Sequence, residues 1–166
     1  ERRNAVKVLM FFDVGGSMDW HIKGVEELFS AARTEFKHLE YYYFHNCIYE
    51  GVWRDNERRW TDKTPTMEVL HTYPSDYKVI FVGDASMSPY EISHPGGAVE
   101  HMNPEVGAVW LQRVLDVYPH AVWLNPVAQD HWGWTHTIGM IERLMGGRMY
   151  PLTLDGLDRA IRELMR

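Results

Sequence analysis

The chain has 166 residues, 45% of them hydrophobic and 13% aromatic, enough to bury a substantial core in one domain spanning 1–166. Its formal charge of −6 is spread along the sequence, with small basic clusters only at Glu1-Arg2-Arg3 and near the C-terminus, which argues against a phosphate-tracking surface and a nucleic-acid partner. Cys47 is the only cysteine, which excludes an internal disulfide and a cysteine-rich zinc site; no apolar run approaches the ~20 residues that span a bilayer, so a cytoplasmic protein with no membrane partner is expected.

The opening ERRNAV lacks a methionine and reads as the start of an excised C-terminal part of a longer protein. From Ala5 to Phe12 the chain is almost continuously apolar, the pattern of a strand buried on both faces. Between Trp20 and Phe36, apolar residues recur at steps of three and four (Trp20, Ile22, Val25, Leu28, Phe29, Ala32), which predicts an amphipathic helix. Leu39–Phe44 and Ile48–Trp53 are aromatic and β-branched runs around His45-Asn46-Cys47 and predict a hairpin. In the run Tyr41-Tyr42-Tyr43, alternation leaves at most one face to the core.

After a polar loop over 54–63, Thr64-Pro65-Thr66 predicts a helix with Thr64 as its cap and Pro65 in its first position. KVIFVG, 78–83, is a second buried-type strand ending at Asp84, and a long loop runs from there to Asn103. Asn103-Pro104 opens a helix carrying Val106, Trp110, Val114 and Val117 on one stripe. AVWL, 121–124, is a third buried strand, followed by a loop. Ile138, Ile141, Leu144 and Met145 lie on a helix that stops at Gly146-Gly147. A last helix, 154–165, is expected to bury Leu154, Leu157, Ala160, Ile161 and Leu164 and to pair Asp155 with Arg159 and Asp158 with Arg162. Strands alternating with helices predict an α/β fold: a doubly wound, mostly parallel, Rossmann-like sheet with helices on both faces.

In such a sheet the residues after the carboxyl ends of the strands converge on one rim, where ligands bind. Asp13 ends the first strand, Asp84 follows the KVIFVG strand, Ser17 follows a Gly15-Gly16 turn that lets its hydroxyl point back, and Thr64 opens the helix before Lys78. Two carboxylates and two hydroxyls form an all-oxygen donor set, which suits Mg²⁺ or Mn²⁺. Thr66 is the alternative to Thr64.

Asp13-Val-Gly-Gly-Ser17, Thr64 and Asp84 resemble the D-x-S-x-S, threonine and aspartate of the metal-ion-dependent adhesion site of von Willebrand factor type A domains. Over nearly its whole length, including VLMFFDVGGSM, YKVIFVGDASMSPYEI and GGRMYPLTLDGLDRAIREL, the chain looks like the C-terminal von Willebrand domain of bacterial CoxE-like proteins. The resemblance implies an adaptor rather than an enzyme, its metal completed by an acidic residue of a partner protein, working beside a MoxR-type AAA+ ATPase. Two positions depart from the pattern. Gly15 replaces the first serine, so a water takes that ligand's place and metal affinity is expected to fall; Ala85 follows Asp84 where glycine is common.

Other chemistries fit less well. Ser17 lacks the G-x-S-x-G setting of a hydrolase nucleophile. A Mg²⁺-dependent phosphatase or phosphotransferase of the haloacid-dehalogenase type is the enzymatic alternative, with Asp13 as nucleophile and Thr64, Lys78 and Asp84 in the remaining roles, but its second aspartate would stand where Gly15 is. His94, His101, His120, His131 and His136 have no zinc-ligand spacing. Trp53, Trp60, Trp110 and Trp123 are expected in packing, and Trp132 and Trp134 beneath the rim or facing a partner.

Overall fold

A computed structural model describes residues 5–98 and 103–166; the Glu1-Arg2-Arg3 cluster, His101 and part of the loop before Asn103 lie outside them. Seven strands form one sheet: β1 (Lys7–Asp13), β2 (His38–Phe44), β3 (Gly51–Trp53), β4 (Lys63–Pro65), β5 (Lys78–Val82), β6 (Ala121–Asn125) and β7 (Met149–Pro151), in the order β4-β3-β2-β1-β5-β6-β7. The pairs β2/β1, β1/β5, β5/β6 and β6/β7 are parallel, and β3 pairs antiparallel with both β2 and β4. This is a Rossmann-like doubly wound α/β fold.

The helices are α1 (Ile22–Glu35), α2 (Thr66–Thr72), α3 (Pro89–Ser93), α4 (Gly107–Val117), α5 (His136–Leu144) and α6 (Leu154–Leu164). Alternate residues of the central strands feed two cores. Leu9, Phe11, Phe81 and Trp123 pack beneath α2 to α5, while Met10, Phe12, Val82 and Leu124 pack beneath α1 and α6. Each central strand is apolar throughout because both of its faces are covered, which is why β1 carries no polar residue between Val8 and Phe12.

Several boundaries differ from expectation. Residues Gly16–His21 form a 3₁₀ turn before α1, whose tighter winding takes Trp20 off the buried stripe; Trp20 is 88% exposed, and Ile22, the first residue of α1, is 51% exposed. Thr64 is not a helix cap. It pairs with Val52 in the three-residue edge strand β4, and α2 starts two residues later with Pro65 as its cap. α4 begins at Gly107, so Pro104 precedes it, and the loop after Asp84 contains α3. The short strand β7 had no sequence signal.

Leu154 is 90% exposed, while Ala160 and Leu164 fill the core under α6, and both expected i, i+4 ion pairs on that helix form. Both faces of the tyrosine run carry core, Tyr42 on one side and half-buried Tyr41 and Tyr43 on the other. Trp53, Trp110, Trp123 and Trp132 are buried; Trp60 is exposed beneath the Lys63 ammonium, and Trp134 is exposed and stacked on His131. No helix among the described residues is long and apolar enough to cross a membrane.

Candidate metal centre at the sheet rim

β1 has β2 on one side and β5 on the other. The chain leaves β1 through α1 on one face and reaches β5 through α2 on the opposite face, so the crevice at their carboxyl ends is a topological switch point. Asp13 and Asp84 come from those two ends. Both are buried, at 1% and 2% exposure, and the exposed Ser17 closes the group by donating its hydroxyl to Asp84 Oδ2 at 2.5 Å. Gly15 and Gly16 make this turn possible: both have positive φ, 86° and 56°.

Backbone contacts fix each carboxylate. Asp84 Oδ1 accepts the Ser86 N–H in a local turn. Its peptide is held from β6, where buried Asn125 donates Nδ2 to the Asp84 carbonyl and the Trp123 indole N–H donates to the Gly83 carbonyl. Gly83 is a close-approach glycine, because a Cβ there would lie 2.9 Å from the Asp13 Cβ and 3.3 Å from Asp13 Oδ2. Ala85, buried and at φ 55°, adopts the left-handed conformation that glycine takes at no cost. The departure at this position therefore stores about 1–2 kcal/mol of backbone strain and leaves Asp84 in place.

Asp13 Oδ1 accepts the Asn46 N–H at 2.9 Å, and Asn46, itself at φ 62°, gives its side-chain amide to the Glu91 carboxylate. His45 Nδ1 lies 2.7 Å from the Val14 carbonyl. The second oxygen, Asp13 Oδ2, is buried with no hydrogen-bond partner. Burial is the main reason the Asp13 carboxyl is held well above the usual carboxylate range; the Asn46 N–H opposes this, the Asp84 charge adds to it, Arg58 counters and Glu91 adds. Arg58 offsets this only in part, and a divalent ion at Oδ2 would supply the missing partner and further positive charge. The donor set of Asp13, Ser17 and Asp84 fits such an ion.

Of the four expected ligands, the fold brings three together. Thr64 lies on β4, three strands out from β1 in the sheet order, a separation of about 14 Å at the usual ~4.8 Å strand spacing. The Thr66 hydroxyl is committed to the Tyr49 carbonyl at 2.6 Å. Lys78 is at the amino end of β5, level with Val8, on the opposite edge of the sheet from Asp13. It cannot serve a phosphate there, which removes one of the residues that the dehalogenase alternative requires. Among the described residues, no three His, Cys, Asp or Glu side chains converge as a metal-binding group.

Sequence reasoning missed His45, Asn46, Glu91, Asn125 and Arg58. The first two directly follow the carboxyl end of β2, and Asn125 is the last residue of β6, so the rim rule that located Asp13 and Asp84 also covers them. Arg58, at φ 52° in the β3–β4 loop, returns over Gly15, where its guanidinium would be 3.1 Å from an added Cβ. No local pattern marks that return. The chain matches no family model, no curated protein and no solved structure.

Proposed function

We propose that the chain is a metal-dependent protein-binding domain of the von Willebrand factor A type, holding Mg²⁺ or Mn²⁺ through Asp13, Ser17 and Asp84. The observation that carries this reading is the buried, partnerless Asp13 Oδ2 beside the Ser17–Asp84 pair. An ion held here would act as a Lewis acid toward a partner's carboxylate. The domain itself orients the two carboxylates, supplies one hydroxyl at an exposed turn and leaves the outer side open to a second protein. Gly15 offers no side-chain oxygen, so a water would have to stand in for that ligand. The resemblance quoted above supports a cytoplasmic CoxE-like adaptor acting with a MoxR-type AAA+ ATPase in assembling or activating a protein complex.

The reading is tested by retaining proteins from a lysate on the immobilised chain in Mg²⁺ and in EDTA. A partner held only in Mg²⁺, and not held by Asp84→Ala, is expected. Equal retention under both conditions, or Mg²⁺-dependent hydrolysis of an aryl phosphate that Asp13→Asn abolishes, would contradict it.

A further inference from the structure

The three residues that follow β2 grip Asp13. β2 ends at Phe44, level with Asp13, and His45-Asn46-Cys47 then form a three-residue turn, closed by the Cys47 N–H donating to the His45 carbonyl at 2.8 Å. Asn46 stands at its centre with φ 62°, a conformation that asparagine tolerates better than most residues with a side chain. The strained backbone has a use. It aims the Asn46 N–H at Asp13 Oδ1, 2.9 Å away, while His45 Nδ1 meets the carbonyl of the next residue, Val14, at 2.7 Å. Asp13 Oδ1 is thereby taken, and Oδ2 is the oxygen left for a ligand.

Glycine would adopt φ 62° at no cost, but it has no side chain to give. Asn46 gives its Nδ2 to both carboxylate oxygens of Glu91, at 3.3 and 3.1 Å. Glu91 lies in α3, on the same connection that begins with Asp84, and its backbone is fixed away from the rim. The Tyr49 hydroxyl donates to the Glu91 carbonyl at 2.6 Å, and Gly107 packs so closely that an added Cβ would lie 2.7 Å from that carbonyl oxygen. The line of contacts runs from α3 through Glu91 and Asn46 to Asp13, and ties the turn after β2 to the loop that supplies Asp84.

We propose that Asn46 and Glu91 are a positioning pair for the metal centre: Glu91 locks the left-handed turn, and the turn presents Asp13 with Oδ1 hydrogen-bonded and Oδ2 directed to the ion. Neither residue touches the ion. The inference rests on the metal reading of Asp13, Ser17 and Asp84 proposed above. Removing an outer hydrogen-bond partner of a ligating carboxylate weakens metal binding by about 10–100-fold, because the ligand must then be ordered by the ion itself. Glu91 also attracts a cation through space, and its two contributions are separable by substitution.

The test is Mn²⁺ binding by the whole chain, read from the electron paramagnetic resonance of the free ion, with amide hydrogen exchange at Asn46 in EDTA as a metal-free readout. Glu91→Ala removes acceptor and charge, Glu91→Gln removes the charge and keeps an acceptor, and Asn46→Gly keeps the turn and its N–H but drops the link to Glu91. Glu91→Ala and Asn46→Gly should each bind Mn²⁺ at least about tenfold more weakly, and the double variant no more weakly than either alone. Glu91→Gln should keep most of the native affinity. In EDTA the Asn46 amide should exchange at least about tenfold faster in Glu91→Ala than in the native chain or Glu91→Gln, while the amides of β1 and β5 keep their protection and so verify the fold. Should Glu91→Ala lose that protection, Asn46→Gly against Glu91→Gln decides the matter. Equal losses in Glu91→Ala and Glu91→Gln would leave only a through-space charge effect and overturn the inference. Native affinity in Asn46→Gly, additive losses in the double variant, or unchanged exchange at Asn46 in Glu91→Ala would overturn it as well, and in each of these cases the native chain still binds the ion. A native chain that leaves Mn²⁺ free is a different result: it contradicts the metal reading, and the inference falls with it.

Discussion

The Ser17 hydroxyl and Asp84 Oδ2, separated by 67 residues of chain, meet at 2.5 Å across the switch point of the sheet. Their contact is the joint between the turn after β1 and the loop after β5. In the metal-bound protein Ser17 is expected to turn from donating to Asp84 to ligating the ion. Ser17→Ala should therefore weaken Mg²⁺ binding and, by leaving the buried Asp84 Oδ2 without its donor, cost about 1–3 kcal/mol of stability. A calorimetric titration measures the first and thermal unfolding the second.

Thr64→Ala supplies the matching control. Because Thr64 is three strands from β1, its removal should leave Mg²⁺ affinity unchanged in the same titration. A loss equal to that of Ser17→Ala would mean that β4 folds over the rim in the bound state.

Asp13→Asn separates the cost of the site from its use. A carboxyl with a raised folded-state value keeps its proton after the unfolded chain has released its own, so stability falls as pH rises between the two values. In EDTA at neutral pH, Asp13→Asn should be more stable than the native chain by about 1–3 kcal/mol, the cost of a buried group left unpaired. The advantage should vanish below about pH 4, where both carboxyls are protonated. Mg²⁺ should raise the stability of the native chain and not that of the variant. Denaturant titrations across pH, with and without the ion, read all three.

Gly83→Ala should damage the site through packing alone. A methyl group there would press on the Asp13 Cβ and on Trp123, so a loss of about 1–3 kcal/mol is expected, with a weaker Mg²⁺ response. Denaturant unfolding with and without the ion is the measurement.

Cys47 is 2% exposed, and burial pushes its thiol up to about 12. The native chain should resist iodoacetamide at neutral pH and react once unfolded. Above pH ~9 the unfolded thiol ionises while the folded one does not, so the native chain should lose about 1.4 kcal/mol per pH unit relative to Cys47→Ala, and nothing below that pH.

The three residues that meet at the rim were legible because they obey a local rule: each follows a long apolar strand or the glycine turn directly after one. Thr64 was misplaced because β4 has three residues and Pro65 mimics a helix start, whereas its placement is decided by pairing with Val52 on a neighbouring strand. Trp20 matches a 3.6-residue repeat that the chain does not wind there. Asn46 and Arg58 reach the site through left-handed residues in loops, and Asn125 through a side-chain bond to the next strand, relationships that exist only after the sheet has assembled.

The most direct test of the metal centre is a Mn²⁺ titration followed by electron paramagnetic resonance of the free ion, on the native chain, Asp13→Ala and Asp84→Ala. The account predicts one saturable ion per native chain, displaced by Mg²⁺, and none on either variant. A native chain that leaves Mn²⁺ free, or variants that bind it as well as the native chain does, would contradict it.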